Sequence, residues 1–202
     1  MRYSIRDVGL SIVGEGARAG QPMAFVRFLG CNLECPFCND EGPPFLSLKG
    51  LTPKEVADEV ERVLRGTAVC WVCLTGGEPT CFDLEPLVAA LRARPFSLML
   101  QTNGTRRLRR AERFDFVSVS PKWPPGLAGV RQSVGDEFVI PVWPGVEDDA
   151  IVHATQWGCY RHRWLLPVRN GTAWHGNTRR ALRLAVETGV RLTGQLGKLL
   201  GV

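Results

Sequence analysis

Leu29-Gly30-Cys31-Asn32-Leu33-Glu34-Cys35-Pro36-Phe37-Cys38-Asn39-Asp40 follows directly on an apolar run, Met23–Leu29 (MAFVRFL), that reads as a β-strand. Three cysteines in a C-x3-C-x2-C spacing on one short loop suit three corners of a cubane [4Fe–4S] cluster. The loop holds no fourth cysteine, so one iron is left open to bind and activate a ligand. Gly30 lets the chain turn sharply off the strand, and Pro36 stiffens the loop. A zinc site would pair C-x2-C units and close with a fourth Cys or His. The three histidines, His153, His162 and His175, are all far along the chain. The expected metal ligands are therefore Cys31, Cys35 and Cys38.

Working outward, 202 residues suffice for one sizeable domain, and residues 1–202 are read as a single domain. Apolar residues at 45% and charged residues at 22% are ordinary for a globular chain. No apolar run approaches the ~18 residues of a membrane span. Met1-Arg2-Tyr3-Ser4-Ile5-Arg6-Asp7 has no apolar core of an export signal, so a cytoplasmic protein is expected. The net charge is +5, with a knot at Arg106-Arg107-Leu108-Arg109-Arg110. That run is short and lacks interleaved aromatic residues, so it reads as a solvated helix face rather than a nucleic-acid patch. Seven cysteines, an odd number in a chain without an export signal, argue against a disulfide framework. Cys70 and Cys73 lie in an apolar strand with alternating faces, and buried free cysteine is a common small hydrophobe. No auxiliary cluster is expected from them, and Cys81 and Cys159 are given no role.

Strand-like runs alternate with helical stretches. Besides Met23–Leu29, strands are expected at Ala68–Leu74, Ser97–Gln101, Phe114–Val119, Asp136–Ile140 and Arg163–Val168. Thr52-Pro53-Lys54-Glu55 is a capping box with Pro at the first helical position, opening a helix to about Arg65 and the stop at Gly66. Asp83 is expected to cap a second helix to about Arg94. Glu147–Trp157 and Asn177–Thr188 complete the set, the last ended by Gly189. Such alternation implies a parallel sheet with crossover helices, and six strands are too few for an eight-stranded barrel. An open, partial α/β barrel fits the length.

In such a fold the C-terminal strand ends form the active face. Polar residues stand at four successive ends. They are the cysteine loop, Thr75-Gly76-Gly77-Glu78-Pro79, Gln101-Thr102-Asn103-Gly104, and Ser118-Val119-Ser120-Pro121-Lys122. Paired glycines at a strand end allow backbone to approach a charged ligand closely.

The cysteine triplet at the end of a first strand, with Phe37 beside the last ligand, resembles the radical S-adenosylmethionine (SAM) superfamily. The resemblance implies that SAM chelates the open iron and that an injected electron breaks its sulfonium bond to give a 5′-deoxyadenosyl radical. It implies a compact, open partial (β/α)6 barrel of the radical SAM type. Gly76-Gly77-Glu78-Pro79 is similar to the motif that holds the SAM amino group. Phe37, Asn39, Thr75, Gly76, Gly77, Glu78, Gln101, Ser120 and Lys122 are the implied cofactor-side residues.

Further motifs resemble the 7-carboxy-7-deazaguanine synthase family. They are Val8–Gly16 (VGLSIVGEG), Gly20-Gln21-Pro22, Phe25-Val26-Arg27, Pro167 with Arg169-Asn170-Gly171, Asn177-Thr178-Arg179, and the terminal Gln195–Val202 (QLGKLLGV). The resemblance implies a lyase of queuosine and deazapurine biosynthesis, which converts 6-carboxy-5,6,7,8-tetrahydropterin to 7-carboxy-7-deazaguanine with loss of ammonia. SAM is then used catalytically and Mg2+ assists. The substrate contacts implied are Ile12, Gly14, Glu15, Gly16, Arg27, Thr75 and Val202, with no catalytic residue beyond cluster and SAM. Glu15 suits the N–H donors of a pterin's guanidine-like edge, and Arg27, expected on a buried face, suits a carboxylate.

Where the family reads Cys-Asp-Thr, this chain has Cys38-Asn39-Asp40, and Asp40 is the expected Mg2+ ligand. Where the family reads Gln-Thr-His-Lys, it has Gln195-Leu196-Gly197-Lys198, so a substrate-side His is replaced by Gly. A flavodoxin or ferredoxin donor and a homodimer are implied by the resemblance. The competing readings are a glycyl-radical-enzyme activating enzyme, a radical SAM enzyme on another substrate, and a small metal protein that binds nucleic acid.

Overall fold

The structure, a computed structural model, describes residues 1–38, 48–109, 113–123, 126–169 and 173–200. Asn39, Asp40 and Val202, named above as site residues, lie outside the described residues. The chain divides into two compact units. The first comprises Met1–Ile12, Pro22–Thr102 and Leu108–Val117, and the second Val13–Gln21, Asn103–Arg107 and Ser118–Val202.

The first unit carries β1 (Tyr3–Ile12), β2 (Pro22–Phe28), β3 (Leu48–Leu51), α1 (Pro53–Leu64), β4 (Trp71–Gly76), α2 (Glu85–Arg92) and β5 (Ser97–Thr102). β1 runs antiparallel to β2 and β3, whereas β2, β4 and β5 are mutually parallel. β1 was not expected, because the charges Arg6-Asp7 interrupt its apolar alternation. The register shift between Ile5 and Asp7 absorbs that interruption, and Tyr3, Ile5 and Val8 still reach the core. β4 starts later than expected and extends through Gly76. The Thr67 amide bonds the Leu64 carbonyl and the Val69 amide bonds the Thr67 hydroxyl, which holds 67–69 in a turn. The capping box of α1 forms as read, with Thr52 and Glu55 bonding reciprocally. At α2 the Asp83 carboxylate accepts the Glu85 N–H at 3.2 Å, and the helix ends at Arg92. The core packs Tyr3 edge-on to Phe28 and Phe82 at 6.0 and 6.2 Å, with Phe28 and Phe82 tilted against each other at 5.2 Å and Val60, Leu87 and Leu98 around them.

β6 (Phe116–Val119) gives its first half to the first unit and its second half to the second. The second unit then runs through β7 (Val134–Val142), α3 (Asp148–Gln156), β8 (Cys159–Pro167), α4 (Trp174–Thr188), β9 (Arg191–Leu192) and α5 (Leu196–Leu200). β6 to β9 are parallel neighbours in turn. α4 begins before Asn177, which is not its cap. The Asn177 side-chain amide is buried and donates to the Val168 carbonyl at 2.8 Å. Gly189 closes α4 in the left-handed conformation, φ 71°, as read. Phe138, Trp157 and Tyr160 stack at 4.6–6.2 Å in this unit's core. Arg106, Arg107 and Arg109 are exposed on the irregular segment after β5, not on a helix.

The hydrogen-bonded strand order is β3-β1-β2-β4-β5-β6-β7-β8-β9, an open mixed α/β sheet. All six expected strands are present. The three further strands among the described residues are β3 and β9, at the ends of that order, and β1, antiparallel to both its neighbours. No helix among the described residues is long and apolar enough to cross a membrane.

Candidate active site

In the first unit, the site grows from the C-terminal ends of β2, β4 and β5. β2 ends at Phe28, and the Leu29 amide is tied to the Ser4 carbonyl at 2.8 Å. Gly30, at φ 90°, then turns the chain into the cysteine loop. Cys31 and Cys38 are exposed and Cys35 is half-buried. The Cys38 amide bonds the Cys35 carbonyl at 3.0 Å, and the Leu33 amide points at the Cys31 sulfur at 3.4 Å. Among the described residues no three His, Cys, Asp or Glu side chains are drawn together into a metal-holding group. The donor set nonetheless fits a cluster: three thiols on one loop, with a backbone N–H directed at one sulfur. Phe37 is buried beside them. Cys81 is within 3.6 Å of the Asn32 side-chain oxygen, Cys73 is buried within β4 and Cys70 is exposed before it.

The Gly76-Gly77 pair makes a close approach, and its partner is the cluster loop's own backbone. A Cβ on Gly76 would lie 2.4 Å from the Phe28 nitrogen, and one on Gly77 would lie 2.1 Å from the Gly30 oxygen. The Gly77 amide bonds the Phe28 carbonyl at 3.0 Å, and the Glu78 amide bonds the Gly30 carbonyl at 2.9 Å. The glycines thus dock the β4 end onto the segment that precedes Cys31. Glu78 is almost wholly buried. Its Oε1 accepts from the Thr80 amide (3.0 Å), the Thr80 hydroxyl (2.6 Å) and the Thr102 hydroxyl (2.7 Å). The Thr75 hydroxyl donates to the Gln101 side-chain oxygen at 2.8 Å, linking two of the named cofactor-side residues. Thr102 stands among the polar strand-end residues legible in sequence, but neither it nor Thr80 is singled out there as a partner of Glu78, because hydroxyls near turns are commonplace.

Arg27 stands opposite Asp7 across β1 and β2 and donates to its carboxylate at 2.6 Å, with both side chains about one-third exposed. The buried face expected for Arg27 is not found, because the Asp7 carboxylate holds the guanidinium at a partly open position. Ile12 closes β1 opposite Pro22.

In the second unit, Gly14, Glu15 and Gly16 form a turn whose N–H and C=O groups bond to distant segments. The Leu196 amide donates to the Gly14 carbonyl at 2.7 Å. The Gly16 amide donates to the Thr193 hydroxyl at 2.8 Å, and the Ala17 amide to Glu137 Oε2 at 2.7 Å. Glu15 precedes the short helical turn Gly16–Arg18, and its side chain does not cap it. Glu137 is fully buried on β7 opposite Ser118. Burial pushes its carboxyl up, against the Ala17 N–H, the Ser118 hydroxyl, the Trp164 indole and the Arg18 charge. Glu137 Oε1 and the Trp164 indole nitrogen are both buried without a hydrogen bond among the described residues. Glu137 and Thr193 were not singled out in sequence. The available signal was an acid directly before the apolar run Phe138-Val139-Ile140 of a parallel strand. Gln195 is buried and accepts the Arg169 amide at 3.2 Å, and Gly197 lies beside Gly14, with its nitrogen 3.8 Å from where a Gly14 Cβ would be. Ser120 accepts from Lys122 at 2.7 Å.

The radical SAM superfamily profile matches residues 25–122, from β2 to Lys122. The 7-carboxy-7-deazaguanine synthase of Bordetella pertussis is 31% identical over 222 aligned positions, spanning 100% of both chains. That of Nitratidesulfovibrio vulgaris is 34% identical over 71% of this chain and 72% of its own. The chain belongs to the 7-carboxy-7-deazaguanine synthase family. It is a radical SAM enzyme, and membership implies SAM and a [4Fe–4S] cluster as cofactors. The crystal structure of QueE from Escherichia coli shares the fold, with a TM-score of 0.73 at 24% identity over 97% of this chain and 95% of that one. The open partial α/β barrel expected from strand–helix alternation is therefore the fold of this chain.

Proposed function

We propose that this enzyme converts 6-carboxy-5,6,7,8-tetrahydropterin to 7-carboxy-7-deazaguanine and ammonia, as one catalytic domain in the cytoplasm, within queuosine and deazapurine biosynthesis. The observation that carries this reading is the end-to-end relation to the Bordetella pertussis synthase, which extends through the Gly14-Glu15-Gly16 turn and the terminal segment. Substrate and products balance without net oxidation, so SAM is borrowed rather than consumed. The cluster, when bound at Cys31, Cys35 and Cys38, supplies the electron that opens SAM.

The chain's own residues do the rest by position and charge. Thr75, Gly76, Gly77, Glu78 and Gln101, with Phe37, Asn39, Ser120 and Lys122, are the cofactor-side group. Glu78, fixed by three donors on one oxygen, offers a carboxylate of set orientation to the SAM ammonium. Glu15 accepts from the pterin's N–H edge. Arg27, with Nη1 engaged by Asp7, retains further donors for the substrate carboxylate. Asp40 is a hard oxygen ligand for Mg2+, and Val202, Ile12 and Thr75 complete the substrate contacts. A small flavodoxin or ferredoxin supplies electrons, and the enzyme works as a homodimer.

The test is anaerobic turnover of the reconstituted protein with SAM, dithionite, Mg2+ and the carboxytetrahydropterin, with products read by mass. Carboxydeazaguanine in excess of SAM lost is expected. Slow 5′-deoxyadenosine release without that product would overturn the substrate assignment.

A further inference from the structure

Glu137 has no role in the reading above, yet it is fully buried on β7 and faces the segment that carries Glu15. Burying a carboxylate is costly, and an apolar residue of similar size would pack such a site without that cost. Its contacts show what the carboxylate does instead. Oε2 accepts the Ala17 amide at 2.7 Å, one residue after the Gly14-Glu15-Gly16 turn. Gly16 sits at φ 77°, and a Cβ there would lie 2.3 Å from Oε2 and 2.5 Å from Oε1. The turn and the carboxylate are therefore fitted so closely that only glycine is accommodated between them. Thr193 and Leu196 hold the same turn through the Gly16 amide and the Gly14 carbonyl, at 2.8 and 2.7 Å. The base of the loop is closed by Val13 and Gly20–Gln21, at 2.8–2.9 Å. Glu15 is thus bracketed on both sides by backbone groups tied to residues more than a hundred positions away.

We infer that Glu137 is a positioning residue for substrate recognition: through the Ala17 amide and its contact with Gly16, and together with Thr193, it sets the conformation that presents Glu15. The inference rests on the assignment of Glu15 to the pterin edge. Glu137 itself touches neither substrate nor cofactor in this scheme, and its effect is on binding rather than on SAM chemistry.

The experiment compares wild type, Glu137→Ala, Glu137→Gln, Gly16→Ala and the Gly16→Ala/Glu137→Ala double variant as reconstituted enzymes. Dissociation constants for 6-carboxytetrahydropterin and for SAM are measured anaerobically, and amide exchange is followed over residues 13–21 without ligand. Glu137→Ala should weaken the pterin by roughly ten- to a hundred-fold, the size of leaving a buried backbone N–H without its acceptor. SAM affinity should stay within about two-fold, since a local defect away from its contacts leaves its binding energy nearly intact. Exchange over 13–21 should accelerate. Glu137→Gln keeps an acceptor for Ala17 and should recover most of the affinity. Gly16→Ala should cost less in the double variant than alone, because the clashing carboxylate is gone. Equal loss of pterin and SAM, or no difference between the Ala and Gln variants, would overturn the inference and leave a merely structural carboxylate. A wild type that binds SAM but no pterin would overturn the functional reading and the inference with it. Pterin binding by wild type that Glu137→Ala leaves unchanged would overturn the inference alone. Should Glu137→Ala not fold, Thr193→Val removes the neighbouring tie, with the same split between pterin and SAM expected and the same equal loss refuting it.

Discussion

The two units of the chain build their functional segments by different means. In the first unit the cysteine loop, the Gly76-Gly77-Glu78 turn and the end of β5 are consecutive strand ends, each a continuous motif of a few residues. They are joined by backbone pairing between neighbouring parallel strands. In the second unit the Gly14-Glu15-Gly16 turn is held by a residue of β7 and by the segment after β9, none near it in sequence. The difference teaches where chemistry is written locally and where only the fold assembles it. Close neighbours along the chain concentrate ligands; long-range ties place one side chain in one orientation.

The strongest separation of chemistry from folding is expected at Cys35→Ala. The thiol is half-buried on a loop whose turn is made by backbone groups, so little packing is lost. Activity and iron content after reconstitution should collapse, while thermal unfolding of the apoprotein shifts by no more than about 2–4 °C, the shift expected for about 1 kcal/mol in a chain of this size. A large loss of stability with iron retained would show that the loop is a structural element of the first unit rather than a ligand set.

Gly77→Ala probes the docking of the two strand ends. Its Cβ would meet Gly30 backbone atoms at 2.1 and 2.6 Å, and neither is the tip of a flexible side chain. Overpacking of this kind costs about 1–3 kcal/mol. Because the strain falls on the segment before Cys31, cluster retention should fall as well. Gly30→Ala is the control: Gly30 has φ 90° but nothing within 4 Å of a Cβ, so only the conformational cost of about 1–2 kcal/mol applies. If the two variants behave alike, the close approach at Gly77 relaxes without consequence and the contrast between local motifs and long-range ties weakens.

How much of this was legible follows the same division. The cysteine loop, the capping box of α1 and the left-handed stop at Gly189 depend on residues within a few positions, and all three stand where the sequence reading put them. The glycine pair was legible as a close approach but not as to what approaches, since Phe28 and Gly30 belong to another strand. The helical stretch legible in the sequence begins at Asn177, whereas α4 begins at Trp174. The Asn177 side chain is used inside α4 on the Val168 carbonyl, a partner that only the packing of α4 on β8 supplies. Glu137 was passed over because an acid at a strand's start is ordinarily exposed, and nothing local says that Ala17 will reach it. Asp7, the partner that keeps Arg27 partly open, belonged to a strand whose alternation its own charge obscured.

Arg27→Ala tests whether a site residue that was legible acts as its chemistry suggests. Asp7 is one-third exposed and can be hydrated once its partner is gone, so stability should change little. Pterin affinity should fall roughly ten- to a hundred-fold if charged hydrogen bonds to its carboxylate are lost. Slow SAM cleavage without substrate should persist. Unchanged pterin affinity in the variant would remove Arg27 from the substrate contacts and leave it a cross-strand ion pair.

The smallest effect, and the one most specific to the second unit, concerns pH. Burial holds the Glu137 carboxyl above its ordinary value of 4.5. Between 4.5 and that raised value the folded chain binds more protons than the unfolded one. The carboxyl's stabilising protonated form is fully present below the unfolded value, and its contribution is lost as pH rises through the folded one. Glutamine has the same shape and does not titrate, so Glu137→Gln is free of that loss. Chemical denaturation of both proteins from below pH 4.5 upward should show the difference in stability moving in favour of the glutamine variant as pH rises from 4.5 to the folded carboxyl's raised value, and levelling off above it. The opposite slope would mean that the folded state prefers the charged carboxylate. Ala17, Ser118, Trp164 and Arg18 would then more than offset its burial, and the tie to the Glu15 turn would be a charge-assisted one that glutamine cannot fully replace. A difference flat from below pH 4.5 upward would mean that the carboxyl titrates alike in both states, its burial being offset by Ala17, Ser118, Trp164 and Arg18.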